Sequence, residues 1–327
     1  MHIFVTGGLG FIGSNFIRQI LLEHPDIFIT NIDAQTYAGG PDNLKDIESK
    51  KNYQYLKGFI QDYAFIEDAI RKYKPDCIIN FAAETHVDRS ISAASPFIET
   101  NILGTHILLE ASLKNNLQRY IQISTDEVYG SIESPHKFNE TSLIKPNSPY
   151  SASKASADHL VRAYNKTYGL NTTIIRCSNN YGPYQFPEKV IPYFISLALE
   201  NKKVPVYGDG LNVRDWIFVA DFCSAINLIL QKGKNGEVYN VGGEYELTNI
   251  ELTKAILKKL GKPEDSIEFV KDRLGHDRRY AMDCTKIKTE LNWKRKYNFD
   301  EGLDITINWY KSNKAWIEKR TKIITPV

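Results

Sequence analysis

Ile3-Phe4-Val5-Thr6-Gly7-Gly8-Leu9-Gly10-Phe11-Ile12-Gly13, near the start of the chain, joins an apolar run to a glycine-rich turn. Ile3 to Thr6 reads as a short buried strand, and Ser14 to Glu23 as a helix carrying apolar Phe16, Ile17, Ile20 and Leu21. Ile27 to Ile32 makes a second buried strand, so a strand-turn-helix-strand unit is complete within the first 33 residues. Further apolar runs at Cys77 to Phe81, Tyr120 to Ser124 and Thr172 to Arg176 each follow a stretch with helical spacing, such as Phe65 to Lys72 or Gly104 to Lys114. Strands alternating with helices predict an α/β fold built on a doubly wound parallel sheet of the Rossmann type.

Past Asn180 the texture changes, because Pro183, Pro187, Pro192, Pro205 and the turn Gly208-Asp209-Gly210 interrupt the alternation. Residues 1–180 are therefore expected to form the nucleotide-binding lobe, and residues 181–327 mainly a smaller C-terminal α/β lobe for the substrate. The boundary is expected to be interleaved, since Trp216 to Val219 and Val238 to Val241 look like strands able to return to either lobe. The lysine-rich stretch Lys311 to Lys322 reads as a solvated helix face.

Composition narrows the class of partner. With Lys+Arg 41 against Asp+Glu 39, a net charge of +2 leaves no strong footprint for nucleic acid or an anionic membrane. Cys77, Cys177, Cys223 and Cys284 are too scattered for a C-x-x-C pair or a disulfide framework and read as reduced core thiols. No apolar run is long enough to cross a bilayer, and Met1 is followed by a strand and a turn rather than a signal core, so the expected location is cytoplasmic.

The glycines at three-three spacing acquire meaning from their context. Gly7 permits the tight turn, Gly10 lets the backbone approach a pyrophosphate, and Gly13 allows close contact between helix and strand. The anion then lies at a helix N-terminus, where unpaired N–H groups and the helix dipole favour it. Asp33 ends the second strand, 20 residues beyond Gly13, where a carboxylate bonds a ribose diol and repels a 2′-phosphate. The cofactor expected is NAD rather than NADP. Asp62, in Phe59-Ile60-Gln61-Asp62-Tyr63, is a candidate for the adenine amino group, its competing reading being a surface Asp.

Two later segments carry chemistry. Tyr150-Ser151-Ala152-Ser153-Lys154 puts a phenol and an ammonium at i and i+4 on one face of a helix starting after Pro149. A phenol of pKa near ~10 is a poor base at neutral pH, but an adjacent ammonium and a positive nicotinamide favour its phenolate. Ser124-Thr125-Asp126-Glu127-Val128-Tyr129-Gly130 follows a buried strand, so its polar groups emerge at the carboxyl edge of the sheet. Simple hydride transfer needs one hydroxyl there; two adjacent carboxylates suggest a further acid-base step, one protonated and the other ionised. A solvated Asp-Glu turn is the bland alternative.

Taken with Cys177-Ser178-Asn179-Asn180-Tyr181-Gly182-Pro183 and Arg273-Leu274-Gly275-His276-Asp277-Arg278-Arg279-Tyr280, these motifs resemble the dTDP-glucose 4,6-dehydratase family of extended short-chain dehydrogenases nearly end to end. The resemblance implies that Thr125 bonds the hydroxyl at sugar carbon 4, Tyr150 is the base for oxidation there, Asp126 is the acid and Glu127 the base of a dehydration across carbons 5 and 6. NAD would be regenerated at each turnover and stay bound. The resemblance places Phe81, Ala82, Ala83 and Thr85 beside the nicotinamide and sugar, and Thr36, Tyr63, Thr100 and Asn180 at the cofactor. Asn179 is expected at the substrate, Lys189 and Val190 near its nucleotide, and Pro205, Val206 and Tyr207 against the base.

Arg214 offers a planar fork suited to a diphosphate. Asn249, Arg273, His276 and Tyr280 match the family's remaining nucleotide contacts, and Leu274 departs from it, many members having proline there. His276 has no second His or Cys at metal spacing, so no metal is expected. His86 and Asp88 read as structural groups shaping the pocket. A UDP-glucose dehydratase, a nucleotide-sugar epimerase and a catalytically inert NAD-binding scaffold remain as rivals at this point; the Asp126-Glu127 pair argues against the epimerase. Amphipathic helices at Gly104 to Lys114 and Ser151 to Tyr168 suggest a homodimer by analogy.

Overall fold

The computed structural model describes residues 1–323 of the 327, so the last four residues of the expected second lobe lie outside the described part. Strand β1 (His2–Thr6) buries Ile3, Phe4 and Val5 at 1% exposure or less, as a strand covered on both faces must. Around it the chain lays β2 (Phe28–Asp33), β3 (Tyr53–Lys57), β4 (Cys77–Asn80), β5 (Arg119–Thr125) and β6 (Thr172–Cys177). All pair in parallel, with β1 between β2 and β4. Successive strands run outward from β1 to β3 and then restart at β4 on the other side, so the sheet's topological switch point lies at the end of β1.

Period-two alternation divides β1 between the two faces. Ile3 and Val5 join the core formed with Phe16, Ile17 and Ile20 of the first helix, Phe11–Glu23, and with Phe222 and Ile226 of the helix Val219–Lys232. Phe4 joins the opposite core, with Ile70 of the helix Tyr63–Tyr73, Leu108 of Thr105–Lys114 and Val161 of Pro149–Tyr168. The first helix begins at Phe11, three residues ahead of the expected Ser14, because Gly10 serves as its extended N-cap. A wide-turn π stretch, Ile98–Gly104, leads into the expected helix at Thr105.

Only Ser178 separates β6 from β7 (Asn179–Tyr181), so the chain passes straight from the large sheet into a small one. There β9 (Val213–Phe218) pairs with both β7 and β11 (Glu246–Thr248), while β8 (Val204–Tyr207) pairs with β12 (Ile267–Val270). These strands and the helices Val190–Leu199, Asn249–Leu260 and Phe299–Ser312 enclose a third core around Tyr181, Trp216, Leu252 and Leu303. Of the two strands able to return, β10 (Val238–Val241) joins the large sheet beside β6, and the Trp216 strand stays in the small one. All four cysteines are free and buried. Among the described residues no helix is long and apolar enough to cross a membrane.

The lysine-rich end differs from a purely solvated face. In the helix Lys314–Thr321, Ile317 and Arg320 are buried, Arg320 at 3% exposure. Trp316 Nε1 donates to Asn43 Oδ1 at 2.9 Å, Lys319 pairs with Asp42, and Arg320 Nη1 reaches the Gly39 carbonyl at 3.4 Å. The lysines do face water, but the helix is anchored on the loop that follows β2.

Gly13 tests the closeness on which the turn depends. A helical Gly→Ala change ordinarily stabilises by up to ~1 kcal/mol. Here the new methyl would lie 2.5 Å from the Gly7 carbonyl oxygen and 2.8 Å from Gly8 Cα, both backbone atoms that cannot swing away. Gly13→Ala should therefore lose about 1–3 kcal/mol in thermal or urea unfolding, as overpacking does.

Candidate active site

The carboxyl ends of β1, β2, β4, β5 and β6 open into one cavity of about 490 Å³. At one end Gly7 holds φ at +68°, and a side chain on it would meet the Ala82 backbone at 2.6 Å. Gly7, Gly10, Phe11, Ile12 and Gly13 line this end, and the first helix has no side-chain N-cap bond to occupy its leading N–H groups. Asp33 Oδ2 accepts from Leu9 N at 2.9 Å and Oδ1 from Gln35 N at 2.8 Å, which fixes the carboxylate at the turn with lone pairs to spare. Thr36, Phe81, Ala82, Ala83, Thr85 and Thr100 continue the lining, Thr100 from within the π stretch.

At the other end Thr125 closes β5, and its Oγ1 accepts from Glu127 N at 3.2 Å, starting the single turn Asp126–Tyr129. That cap aims both acidic side chains at the cavity. Tyr150 and Lys154 arrive from the helix Pro149–Tyr168, whose start is fixed by a Ser148/Ser151 capping box with Pro149 at the first position. Both are almost completely buried, at 8% and 4% exposure. Asn179 and Asn180 enter from β7.

Burial pushes Asp126 well above the usual carboxylate range, and the nearby charges of Glu127 and Asp215 push the same way. Burial also raises Glu127, but Arg273, Arg214 and Lys189 all oppose it. Arg214 opposes the rise of Asp126 as well, but Arg273 and Lys189 act on Glu127, so the surroundings favour the proton on Asp126.

The phenol behaves otherwise than the sequence suggests. Burial and the two carboxylates raise Tyr150 far above its ordinary value. Lys154 does not offset this, because its Nζ donates to the Ile123 carbonyl at 2.7 Å, and burial lowers its own pKa. The i, i+4 pair is on one face, yet the chain alone leaves the phenol protonated.

Several expected site residues lie outside the cavity lining. Asp62 caps the helix Tyr63–Tyr73 through Phe65 N at 3.1 Å, and exposed Tyr63 bonds Glu67 and Lys114; their neighbour Gln61 is the one that lines the cavity. Lys189 lines it, with Nζ on the Thr85 carbonyl at 2.9 Å, whereas Val190 starts the next helix just beyond.

Along β8 the alternation turns Val206 into the small lobe's core at 1% exposure while Tyr207 is exposed, so the expected three-residue contact is split by strand geometry. Tyr207 meets His276 edge-on, and His276 Nδ1 pairs with Asp272 at 2.6 Å. Pro205 is on the same β8 strand, and Asn249 opens the helix after the Thr248 cap. Arg214 is 5% exposed, its guanidinium 4.2 Å from the Tyr280 ring centroid and bonded to the Asp277 carbonyl at 3.0 Å. Arg273 reaches Asp88 at 3.9 Å, which gives Asp88 the structural job expected of it.

Of the lining residues, Ser124, Gln185 and Glu188 were not singled out from sequence as site residues. Ser124 Oγ, Asp126 Oδ2, Asn180 Oδ1 and Gln185 Oε1 are buried without a partner in the cavity wall, an arrangement suited to a polar ligand. Gln185 and Glu188 sit among Pro183, Pro187 and Pro192, a stretch whose only sequence signal was irregular structure.

The chain matches a family model described as GDP-mannose 4,6 dehydratase over residues 4–306. It is 48% identical to a dTDP-glucose 4,6-dehydratase of Xanthomonas campestris pv. campestris, over 96% of this chain and 94% of that protein. It is 50% identical to the low-salt glycan biosynthesis protein Agl12 of Haloferax volcanii, over 95% and 98%. The solved structure of DesIV, a dTDP-glucose 4,6-dehydratase from Streptomyces venezuelae with NAD and TYD bound, superposes with a TM-score of 0.95 at 46% identity, covering 98% of this chain and all of that one.

Asp126 should reveal its setting through stability. Its pKa is raised on folding, so its contribution is fully present below the unfolded value and lost as pH rises toward the folded value. Asp126→Asn removes that loss. The variant should melt a few degrees above the unaltered protein at about pH 8, with the gap closing toward about pH 4. Calorimetry across that range checks the sign; a variant less stable at the higher pH would contradict it.

Proposed function

This chain belongs to the dTDP-glucose 4,6-dehydratase family, and from that premise and the cavity's geometry we propose how its residues convert dTDP-glucose to dTDP-4-keto-6-deoxyglucose and water. It is an NAD-dependent hydro-lyase. Residues 1–180, with the helix Val219–Lys232 and β10 added, form the NAD lobe, and most of the remainder forms the nucleotide-sugar lobe. The observation that carries the residue assignment is the pair Asp126 and Glu127, adjacent at the end of β5, the first buried and the second half-buried, with different charges around them.

The residues present fit NAD. The turn admits no side chain at Gly7, the first helix has leading N–H groups without a side-chain cap, and Asp33 sits at the end of β2. NAD held there by the glycine turn and Asp33 would supply the acceptor and later the donor of the hydride, and a positive charge to counter the effect of burial on Tyr150. Thr125 holds the carbon-4 hydroxyl and Tyr150 takes its proton. The resulting ketone acidifies the hydrogen on carbon 5, which Glu127 removes. Asp126, still protonated, gives its proton to the carbon-6 hydroxyl, which departs as water; Glu127 returns its proton to carbon 5, and the proton that Tyr150 took passes through solvent to restore Asp126 for the next turnover. Lys154 holds the end of β5 through the Ile123 carbonyl and so fixes Thr125 relative to Tyr150. Lys189, Arg214 and Arg273 supply positive charge for the diphosphate, with Tyr207, Asn249, His276 and Tyr280 toward the nucleoside.

The substrate is best tested by mass spectrometry of the purified protein incubated with dTDP-glucose or UDP-glucose without added NAD. Loss of one water from dTDP-glucose is the expected result; preference for UDP-glucose would keep the chemistry and change the nucleotide. Asp126→Asn with Glu127→Gln should lower water loss by at least about a thousandfold while retaining bound NAD. Turnover near the unaltered rate would remove both residues from the mechanism.

The helices Thr105–Lys114 and Pro149–Tyr168 pair in a homodimer, a reading supported by exposed Ile98, Leu103 and Tyr168 on or beside them. Light scattering at micromolar concentration should give twice the 37.4 kDa chain mass. A monomer mass would overturn the pairing.

A further inference from the structure

The loops after β2 and β4 flank the end of β1, where the glycine turn lies. They meet one another. The Arg89 guanidinium, from the helix after β4, lies 4.0 Å from the ring centroid of Tyr37, on the loop after β2. Glu188 joins both: Tyr37 Oη donates to Glu188 Oε1 at 2.8 Å and Arg89 Nη2 to Oε2 at 3.3 Å. Because β1 stands between β2 and β4, a link between their loops has to pass over the end of β1. Glu188 also lines the cavity. We propose that Tyr37, Arg89 and Glu188 form a clasp closed over the glycine turn, and that this clasp holds NAD in place through the catalytic cycle.

The three groups form a charge-assisted set with little competition from water. The Glu188 side chain is 6% exposed and Arg89 25%. Burial and Glu188 raise the Tyr37 phenol, so it remains a donor at any working pH. Phe186 meets the Tyr37 ring edge-on at 5.4 Å and lines the cavity beneath it. The same β2 loop is secured on its outer side by the C-terminal helix, through Trp316 to Asn43 and Lys319 to Asp42, and Asn43 in turn donates to the Leu9 carbonyl at 2.8 Å. With one side anchored, release of a dinucleotide requires the inner contacts to open. An enzyme that regenerates NAD at each turnover has no need to release it.

The inference rests on NAD occupying the cavity and not on which sugar nucleotide is dehydrated. Its test is therefore run without sugar. The holoprotein is mixed with excess 1,N6-etheno-NAD, and exchange is followed by the fluorescence carried through desalting. Tyr37→Phe removes the phenol donor, and Arg89→Met removes the guanidinium while keeping an apolar stem. Each should speed exchange about tenfold or more, the loss expected for a bond to a charged group, with the melting temperature lowered by no more than a few degrees. The double variant should exchange little faster than either single one, since both open the same clasp. Unchanged exchange in both single variants, faster exchange only in step with a melting temperature fallen further than that, or immediate exchange in the unaltered protein would overturn the proposal. Failure to dehydrate dTDP-glucose would instead overturn the substrate reading and leave this measurement standing.

Discussion

Backbone has to touch backbone where β1 turns into the first helix, and the rest of the cavity depends on that contact. Gly7 faces the Ala82 backbone, and Gly13 faces the Gly7 carbonyl and Gly8. No side chain fits between them. The closeness lets the first helix start beside the strand end, so its leading N–H groups converge on the switch point of the sheet. Leu9 then reaches Asp33, and the loop after β2 folds back onto the turn through Gly40 N and Asn43. A single steric requirement thus fixes the phosphate end, the ribose carboxylate and the loop above them.

The opposite end of the cavity is organised by charge. Asp126 and Glu127 come from the turn that follows β5, and Tyr150 and Lys154 from the helix beside it, all within the large sheet's lobe; Asp126, Tyr150 and Lys154 are buried and Glu127 is half-buried. The cations that oppose the rise in Glu127, namely Lys189, Arg214 and Arg273, come from the other side of Ser178. The two carboxylates belong to the first lobe and most of the charges that bear on them to the second: Arg214 opposes the rise of both, while Arg273 and Lys189 act on Glu127. The direct passage from β6 through Ser178 into β7 keeps the two halves in fixed register. Asp215 of β9 adds to this by raising Asp126 further.

Elements whose signal is local were legible in the sequence. β1, the glycine turn, β2 and Asp33 follow from apolar runs and spacing, and Pro149 marks the start of the helix that presents Tyr150 and Lys154. Where partners come from far along the chain, the sequence is mute. The i, i+4 spacing puts Lys154 on the face of Tyr150 but cannot show that the Ile123 carbonyl takes its ammonium. Asp62 has the composition of a ligand contact and the position of a helix cap, and only tertiary context separates the two. Val206 is turned inward by a strand whose buried face no local pattern identifies. The lysines of the last helix hide Trp316, Ile317 and Arg320, which fall on one side at helical spacing and anchor it.

Buried polar atoms without a partner occur at several places among the described residues, and four of them lie in the cavity wall. In the large sheet's interior, Arg176 pairs with Asp158 at 2.9 Å and with the Tyr129 hydroxyl at 2.8 Å, and Asn80 bonds the Tyr120 hydroxyl and Gln122. These donors are answered, although Asp158 Oδ1 is left without a partner. In the cavity wall, by contrast, Ser124 Oγ, Asp126 Oδ2, Asn180 Oδ1 and Gln185 Oε1 are left open, each a destabilising feature of about 1–3 kcal/mol in isolation. The three apolar cores surrounding the site are large enough to tolerate that cost. The same desolvation that costs stability also raises the Asp126 carboxyl above its ordinary range, so the two effects at this side chain have one physical origin.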